Sequence, residues 1–418
     1  MTDESQTPSL VERLKIKLPT NLDPQDPILI IQQQQDLRLI MVHHLKKMNF
    51  LNISTAANGY DGLEVMRAAE LEFKMIIVDM TMDVMGGIDF VNEVKETTEL
   101  RRPPICMTIA DPNKERIMHA IESGVDEILV KPFTLGDLNP KIRKAFKIFH
   151  NPRNPEPVYE LAKNLLRQKE FEKAKQIYRL LAEAAPQAAR PPVGLAKIAF
   201  EENQTDQALA LLDQAQKQNP HFVYTHELRG RIFASQNRWD DAIKSLQTAI
   251  SISPLNPMRY KIAAELLFKV QRYRDAVVLL SSGVEKGIDF NEIYHFLSQA
   301  HFALDEHKLA LKYIRSALGK EPENITYLNQ LGVCHRHLKD YEEGMKVYNQ
   351  IIKIDPGNKI ALYNKGVLLH SMGQIDEAVK LFKKVLLKYP DFKEAQTKLS
   401  AYEQELKDKE KNGAKAAS

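Results

Sequence analysis

A small residue recurs every 34 positions through the second half of this chain, at Ala174, Ala208, Ala242, Ala276, Ala310, Gly344 and Ala378. A second series keeps the same period, at Ala162, Ala196, Gly230, Ala264, Ser298, Gly332 and Gly366. Prolines follow it at Pro186, Pro220, Pro254, Pro322, Pro356 and Pro390, with Ile288 breaking the row. A fixed period of this length marks a stack of helical repeats, each unit covering a neighbour's apolar face. Such a stack is a binding surface, so the sequence asks which partner the chain holds rather than which reaction it runs.

Each unit reads as two amphipathic helices joined by a turn. The small residues fall where the helices cross, because a large side chain there would overpack the crossing. Proline ends the second helix and presets the turn into the next unit. Aromatics fill the neighbouring core slots at Phe171, Tyr178, Trp239, Tyr273, Tyr341, Tyr348 and Phe382. This pattern resembles the tetratricopeptide repeat, with seven consecutive units expected over 158–390. Repeat four departs from it at Ile288, and repeat five carries Ser298 and His301 in core slots, so a local kink or looser packing is expected between them. A closing helix is expected over 391–408 and a disordered polar tail over 409–418. The resemblance implies protein partners, held on an inner stripe of the first helices that includes Tyr224, Arg231, Lys261, Phe268, His295, Asn329, Arg336, Tyr363 and His370. Arg190, Lys197 and Glu227 lie on the same stripe. Aromatics and arginine suit such a role as interface anchors.

The first part of the chain has a different grain. Residues 1–26 are polar and proline-bearing, and read as a loose arm. Over 27–149 short apolar runs alternate with helical patterns, the mark of a parallel sheet covered on both faces. Residues 150–157, with three prolines or proline-adjacent turns in HNPRNPEP, read as a short stiff linker. The fold class expected is therefore an α/β doubly wound domain followed by an all-α superhelix.

The segment 27–148 resembles the receiver domain of response regulators. Ile28–Ile31, Asp79 at the end of MIIVD, the PICMTIA run and ESGVDEILVKPF with Gly124, Lys131 and Pro132 carry the likeness. The resemblance implies a phosphoacceptor at Asp79 and a phosphate-neutralising lysine at Lys131. It also implies a magnesium ion on two acidic residues after the first strand, and a switch Thr or Ser after the fourth. Here the acidic pair is replaced by Gln32 and Gln33. Counting back from Gly124 places the switch residue on Ile109, with Thr108 pointing to the opposite face. Glutamine offers a carbonyl but no charge, and a hard cation prefers charged oxygens. The expectation is a pseudo-receiver used for docking, with Asp79 and Lys131 kept as a buried pair and no cofactor. The alternative is a working regulator phosphorylated at Asp79, with magnesium recruited by Asp36, Asp83 or Asp111.

Other chemistry is weakly represented. The net charge of +3 is small and both signs are mixed, which argues against nucleic acid as a ligand. No Ser–His–Asp set, phosphate-cradling glycine loop or carboxylate pair emerges, so no enzyme activity is expected. The Cys334–His337 run reads as surface and core positions of one helix rather than a metal site. Two distant cysteines and the lack of a long apolar run point to a cytoplasmic protein without membrane insertion. The function expected is that of a bacterial signalling adaptor that binds other proteins through the repeat groove and the receiver surface.

Overall fold

The apolar runs of the first part become β1 (Ile28–Ile31), β2 (Ile53–Ala56), β3 (Met75–Asp79), β4 (Ile105–Ile109) and β5 (Glu127–Val130). The structure, a computed structural model, describes residues 8–112, 114–254, 256–288 and 291–416. The strands are all parallel, in the order β2-β1-β3-β4-β5. Strands β1, β3 and β4 are buried at every position, as befits a sheet covered on both faces. The crossovers and flanks are α1 (Leu10–Arg13), α2 (Gln35–Lys47), α3 (Gly59–Ala68), α4 (Gly87–Glu96), α5 (Lys114–Ser123) and α6 (Leu135–Phe149).

Side-chain alternation splits the sheet into two cores. Leu29, Ile31, Ile76, Val78, Met107 and Ile109 meet Leu63 of α3 and Phe90, Val91 and Val94 of α4. Ile28, Ile30, Met75, Ile77 and Cys106 meet Met41 and Leu45 of α2 and Leu138, Ile142 and Phe146 of α6. The strand order reverses between β1 and β3, and the crevice at the carboxyl ends of those strands is where α/β sheets place their sites.

The repeats follow as α7 (Glu156–Arg167), α8 (Phe171–Ala184), α9 (Arg190–Glu201), α10 (Thr205–Gln218), α11 (Val223–Ser235), α12 (Trp239–Ile252), α13 (Pro257–Lys269), α14 (Tyr273–Glu285), α15 (Asn291–Ala303), α16 (His307–Lys320), α17 (Ile325–His337), α18 (Tyr341–Ile354), α19 (Lys359–Ser371) and α20 (Ile375–Lys388), closed by α21 (Lys393–Ala416). The chain divides into two compact units. One comprises Met1–Leu266 with Gly283–Asp289; the other comprises Leu267–Ser282 with Phe290–Ser418.

The comb of small residues has a direct physical cause. A Cβ on Gly230 would come within 3.1 Å of Leu246, one on Gly332 within 2.6 Å of the Tyr348 ring, and one on Gly366 within 2.8 Å of the Phe382 ring. In each case the partner lies 16 residues on, in the second helix of the same repeat. Gly332→Leu is expected to cost about 1–3 kcal/mol by overpacking, read as a lower urea midpoint. An unchanged midpoint would show that the Tyr348 ring yields without cost.

The turn between paired helices carries a second comb. Lys169, Asn203, Asn237, Gln271, Asp305 and Lys339 have positive φ between 58° and 63°, and Gly373 has φ 79°. The next residue donates its N–H to a carbonyl five positions back, as in Glu170 to Leu165 (2.9 Å) and Gln374 to Leu369 (3.0 Å). This is the left-handed cap that satisfies the last carbonyls of a helix.

Four expectations need correction. The arm is not loose throughout, although residues 1–7 lie outside those described. α1 is closed by a Ser9–Glu12 capping box, and Val11 is buried against Val158, Tyr159 and Ala162. The linker ends early, because Glu156 and Pro157 already belong to α7, where proline needs no donor. The closing helix runs on through the expected tail to Ala416. Ser298 and His301 do not loosen repeat five: Ser298 Oγ donates to Ala310 O at 2.9 Å, and His301 stacks on Tyr313 at 5.2 Å. Ile288 is fully buried where the other units have proline.

Candidate functional site

At the carboxyl end of β3 the Asp79 carboxylate is almost fully buried. Lys131 Nζ donates to its Oδ2 at 2.7 Å, and Thr108 Oγ1 donates to its Oδ1 at 3.1 Å. The Thr108 contact corrects the expectation that this residue points to the opposite face: its hydroxyl lies on the side of Asp79. Asp79 pairs with Thr108 across the ladder, and Thr108 shares a face with Cys106 while Ile109 sits in the opposite core with Met107. Counting alternate positions along β4 from Cys106 places the Thr108 hydroxyl on this face.

The positions of the missing acidic pair are visible in detail. Gln32 is buried; its Oε1 accepts from Gln34 N at 3.2 Å, and its Nε2 finds no acceptor among the described residues. Gln33 clasps Asp83 with both ends of its amide. Its Nε2 donates to the carboxylate, and its Oε1 accepts from Asp83 N at 3.1 Å. This set does not fit magnesium. One amide turns an N–H into the site, the other ties up the nearest spare carboxylate, and Asp79 is already neutralised by Lys131. Asp111 is also engaged, 3.6 Å from Arg116. Among the described residues no group of three or more His, Cys, Asp or Glu is placed to hold a metal ion.

Helix α4 leaves from the same end of the sheet. Its first residue, Gly87, lies so close to β3 that a Cβ would stand 2.2 Å from Asp79 O. Its far end lies in the groove formed by α7, α9, α11 and α13. Three cations there cap its last carbonyls. Lys163 Nζ donates to Val94 O at 3.0 Å, Arg190 to Lys95 O at 2.9 Å, and Lys197 Nζ to Glu96 O at 2.6 Å. A helix carboxyl end carries unpaired carbonyls and a partial negative charge, so these are the groups it calls for.

The side chains of α4 are read as well. Arg190 Nε meets Glu96 Oε1 at 2.7 Å, its other arm holds Glu156 at 2.8 Å, and its plane covers the Tyr159 ring at 3.8 Å. Glu93 accepts from Asn256 Nδ2 at 2.8 Å and Tyr224 OH at 3.4 Å, with Arg259 3.7 Å away. Arg259 also pairs with Glu227. Ser253 Oγ donates to Asp89 Oδ1 at 2.9 Å. Burial raises the Glu93 pKa to about 7, with repulsion from Glu227 adding to it. Glu156 drops to about 2 because Arg190, Arg102 and Lys95 outweigh its burial. Burial lowers the pKa of both Lys163 and Lys197. Beside the α4 contact a cavity of about 400 Å³ remains, edged by Arg167, Phe200, Tyr224, Arg231 and Arg259.

Tyr224 of the predicted stripe is therefore in the groove but already engaged by the chain itself. Arg231 lies exposed at the cavity edge, and Lys261 is half-buried. In the second unit, Phe268 packs on Phe296 and Tyr273, and His295 on Tyr327 at 4.9 Å. Asn329 accepts from Asn364 at 3.5 Å, and Arg336 lies 3.4 Å from His337. Tyr363 and His370 are a correction. They face the closing helix, Tyr363 against Phe392 and His370 stacked at 3.9 Å on Tyr402 and bonded to Glu405. Sequence reasoning missed Lys163, Asn256 and Arg259. Lys163 and Arg259 left a signal, as charged residues at otherwise apolar helix positions, whereas Asn256 lies just before α13.

The fold and the Asp79 cluster define the class: a receiver-type α/β domain seated on helical repeats. The response regulator receiver domain family matches residues 28–143, and tetratricopeptide repeat families match 193–257, 297–359 and 335–402. The chemotaxis protein CheY-3 of Vibrio cholerae is 31% identical over 120 residues, which is 29% of this chain and 91% of that protein. The chemotaxis protein CheY of Pseudomonas aeruginosa is 31% identical over 120 residues, covering 95% of its length. Among solved structures, YrrB, described as a TPR protein with an unusual peptide-binding site, aligns over 53% of this chain and 96% of its own. That alignment has 18% identity and a TM-score of 0.31. The chain belongs to the response regulator receiver family through its α/β domain, and carries tetratricopeptide repeats after it. No helix among the described residues is long and apolar enough to cross a membrane.

Proposed function

We propose that this chain is a bacterial, cytoplasmic signalling adaptor that binds proteins and catalyses nothing, with its receiver domain used for docking. The observation that carries this reading is the α4 seat. Buried cations and amides of the repeats hold a helix by its charges and its end, which is how a protein-binding surface works. The Asp79 pocket supports it from the other side, because Gln32 and Gln33 supply N–H groups where a metal would need carboxylates. Nucleic acid is not the ligand in this reading, since the cations of the seat are spent on carbonyls and carboxylates.

Thr108 favours one second reading. With Lys131 and Asp79 it completes the phosphate-facing part of a working site, so that phosphorylation at Asp79 would gate access to the repeats. Incubation with a small phosphodonor followed by a phosphate-affinity gel separates the two. The adaptor reading expects the wild type to run with the Asp79→Ala control. A retarded wild-type band that the control lacks would establish the second reading.

A further inference from the structure

We propose that the seat on repeats one to four is a receptor for acidic helix ends, that α4 is its tethered occupant, and that a partner helix of the same chemistry takes its place. The inference rests on the adaptor reading and names the kind of partner. The ligand is a helix with carboxylates three residues apart in its last turn, ending there so that its carbonyls are free.

The chemistry of the seat is specific on three counts. Arg259 and Lys163, both 4% exposed, are charges held inside the protein, and buried charge is costly unless paired. Lys163, Arg190 and Lys197 meet three successive carbonyls, Val94 to Glu96, which only a helix terminus presents unpaired. Glu93 and Glu96 meet two separate polar sets, Asn256 with Tyr224 and Arg190, so the spacing of the carboxylates is read as well as their sign. Nothing in this list depends on the rest of the receiver fold. An untethered helix with the same end would satisfy each group equally, while α4 holds its place through its tether to the sheet and its local concentration.

The test titrates full-length protein with a fluorescent synthetic peptide of residues 87–99, followed by anisotropy. Two variants weaken the resident helix, Glu96→Gln and Glu96→Lys, and circular dichroism checks that each keeps its helix content. The variants are expected to bind the peptide about ten-fold more tightly than the wild type, the worth of one charge-assisted bond removed from the competitor. A peptide with lysine in place of Glu93 and Glu96 should not bind. If neither variant gains affinity, or if the acidic and reversed peptides bind alike, the proposal is overturned. The phosphodonor result is independent of this one, so either reading can fail without the other.

Discussion

Arg190→Ala is expected to lower the unfolding free energy by about 3–5 kcal/mol, the cost of breaking a buried ion pair from one side. The guanidinium stands between Glu96, which is buried, and Glu156, which is half-buried, and also supplies a donor to Lys95 O. Alanine would strand two carboxylates in a site from which water is largely excluded, and would uncover the Tyr159 ring. Arg190→Lys keeps the charge but cannot reach both carboxylates and the carbonyl at once, so it should recover only part of the loss. Urea titration of the full chain measures the first number. A double variant with Glu96→Gln measures the coupling, since coupled residues should lose less together than the sum of their separate losses. A loss below about 1 kcal/mol would mean that the pair is screened as surface pairs are.

The second large effect is on pH. Glu93 ordinarily titrates near 4.5, and in the folded chain near 7. A raised carboxyl adds stability that is fully present below the unfolded value and is lost as pH climbs through the folded one. Stability should therefore fall between roughly pH 4.5 and 7, then level off, by about 3 kcal/mol at most. The groups around Glu93 are Thr97 just past the end of α4, Arg67 on α3, Tyr224 and Glu227 on α11, and Asn256 and Arg259 beside them. Asp126, raised to about 6, contributes a slope of the same sign, so the comparison must be with Glu93→Gln. Glutamine can accept from Asn256 and Tyr224 without charge. The variant should lose most of the slope and exceed the wild type in stability at pH 8. Parallel curves for the two proteins would remove Glu93 from the account.

What the sequence made legible follows from how local each signal is. The period of 34 is carried by residue size at single positions, because Gly332 and Gly366 sit under rings that leave no room for a Cβ. The strand order and the Asp79–Lys131 pair follow from apolar runs and their ends. The left-handed comb was illegible, since Lys169, Asn203, Gln271 and Asp305 share a conformation and no chemistry. Thr108 was assigned to the wrong face because only pairing with β3 fixes which face a strand residue takes. The occupied groove was beyond the sequence altogether. The stripe that included Tyr224 was read from helical spacing, but nothing in that spacing says that a helix some 130 residues earlier fills it.

The capped end of α4 bears on how the repeats should be handled in the laboratory. Cut away from the receiver domain, they would present Lys163, Arg190, Lys197 and Arg259 without Glu93, Glu96 or the three carbonyls that now absorb them. Such a fragment would behave as an anion exchanger. It would retain acidic proteins and nucleic acids at low ionic strength, and shed them as salt rises past about 0.15 M. Partners gathered on a repeat-only fragment would thus record missing neighbours as much as recognition, and the intact chain is the reagent that tells the two apart.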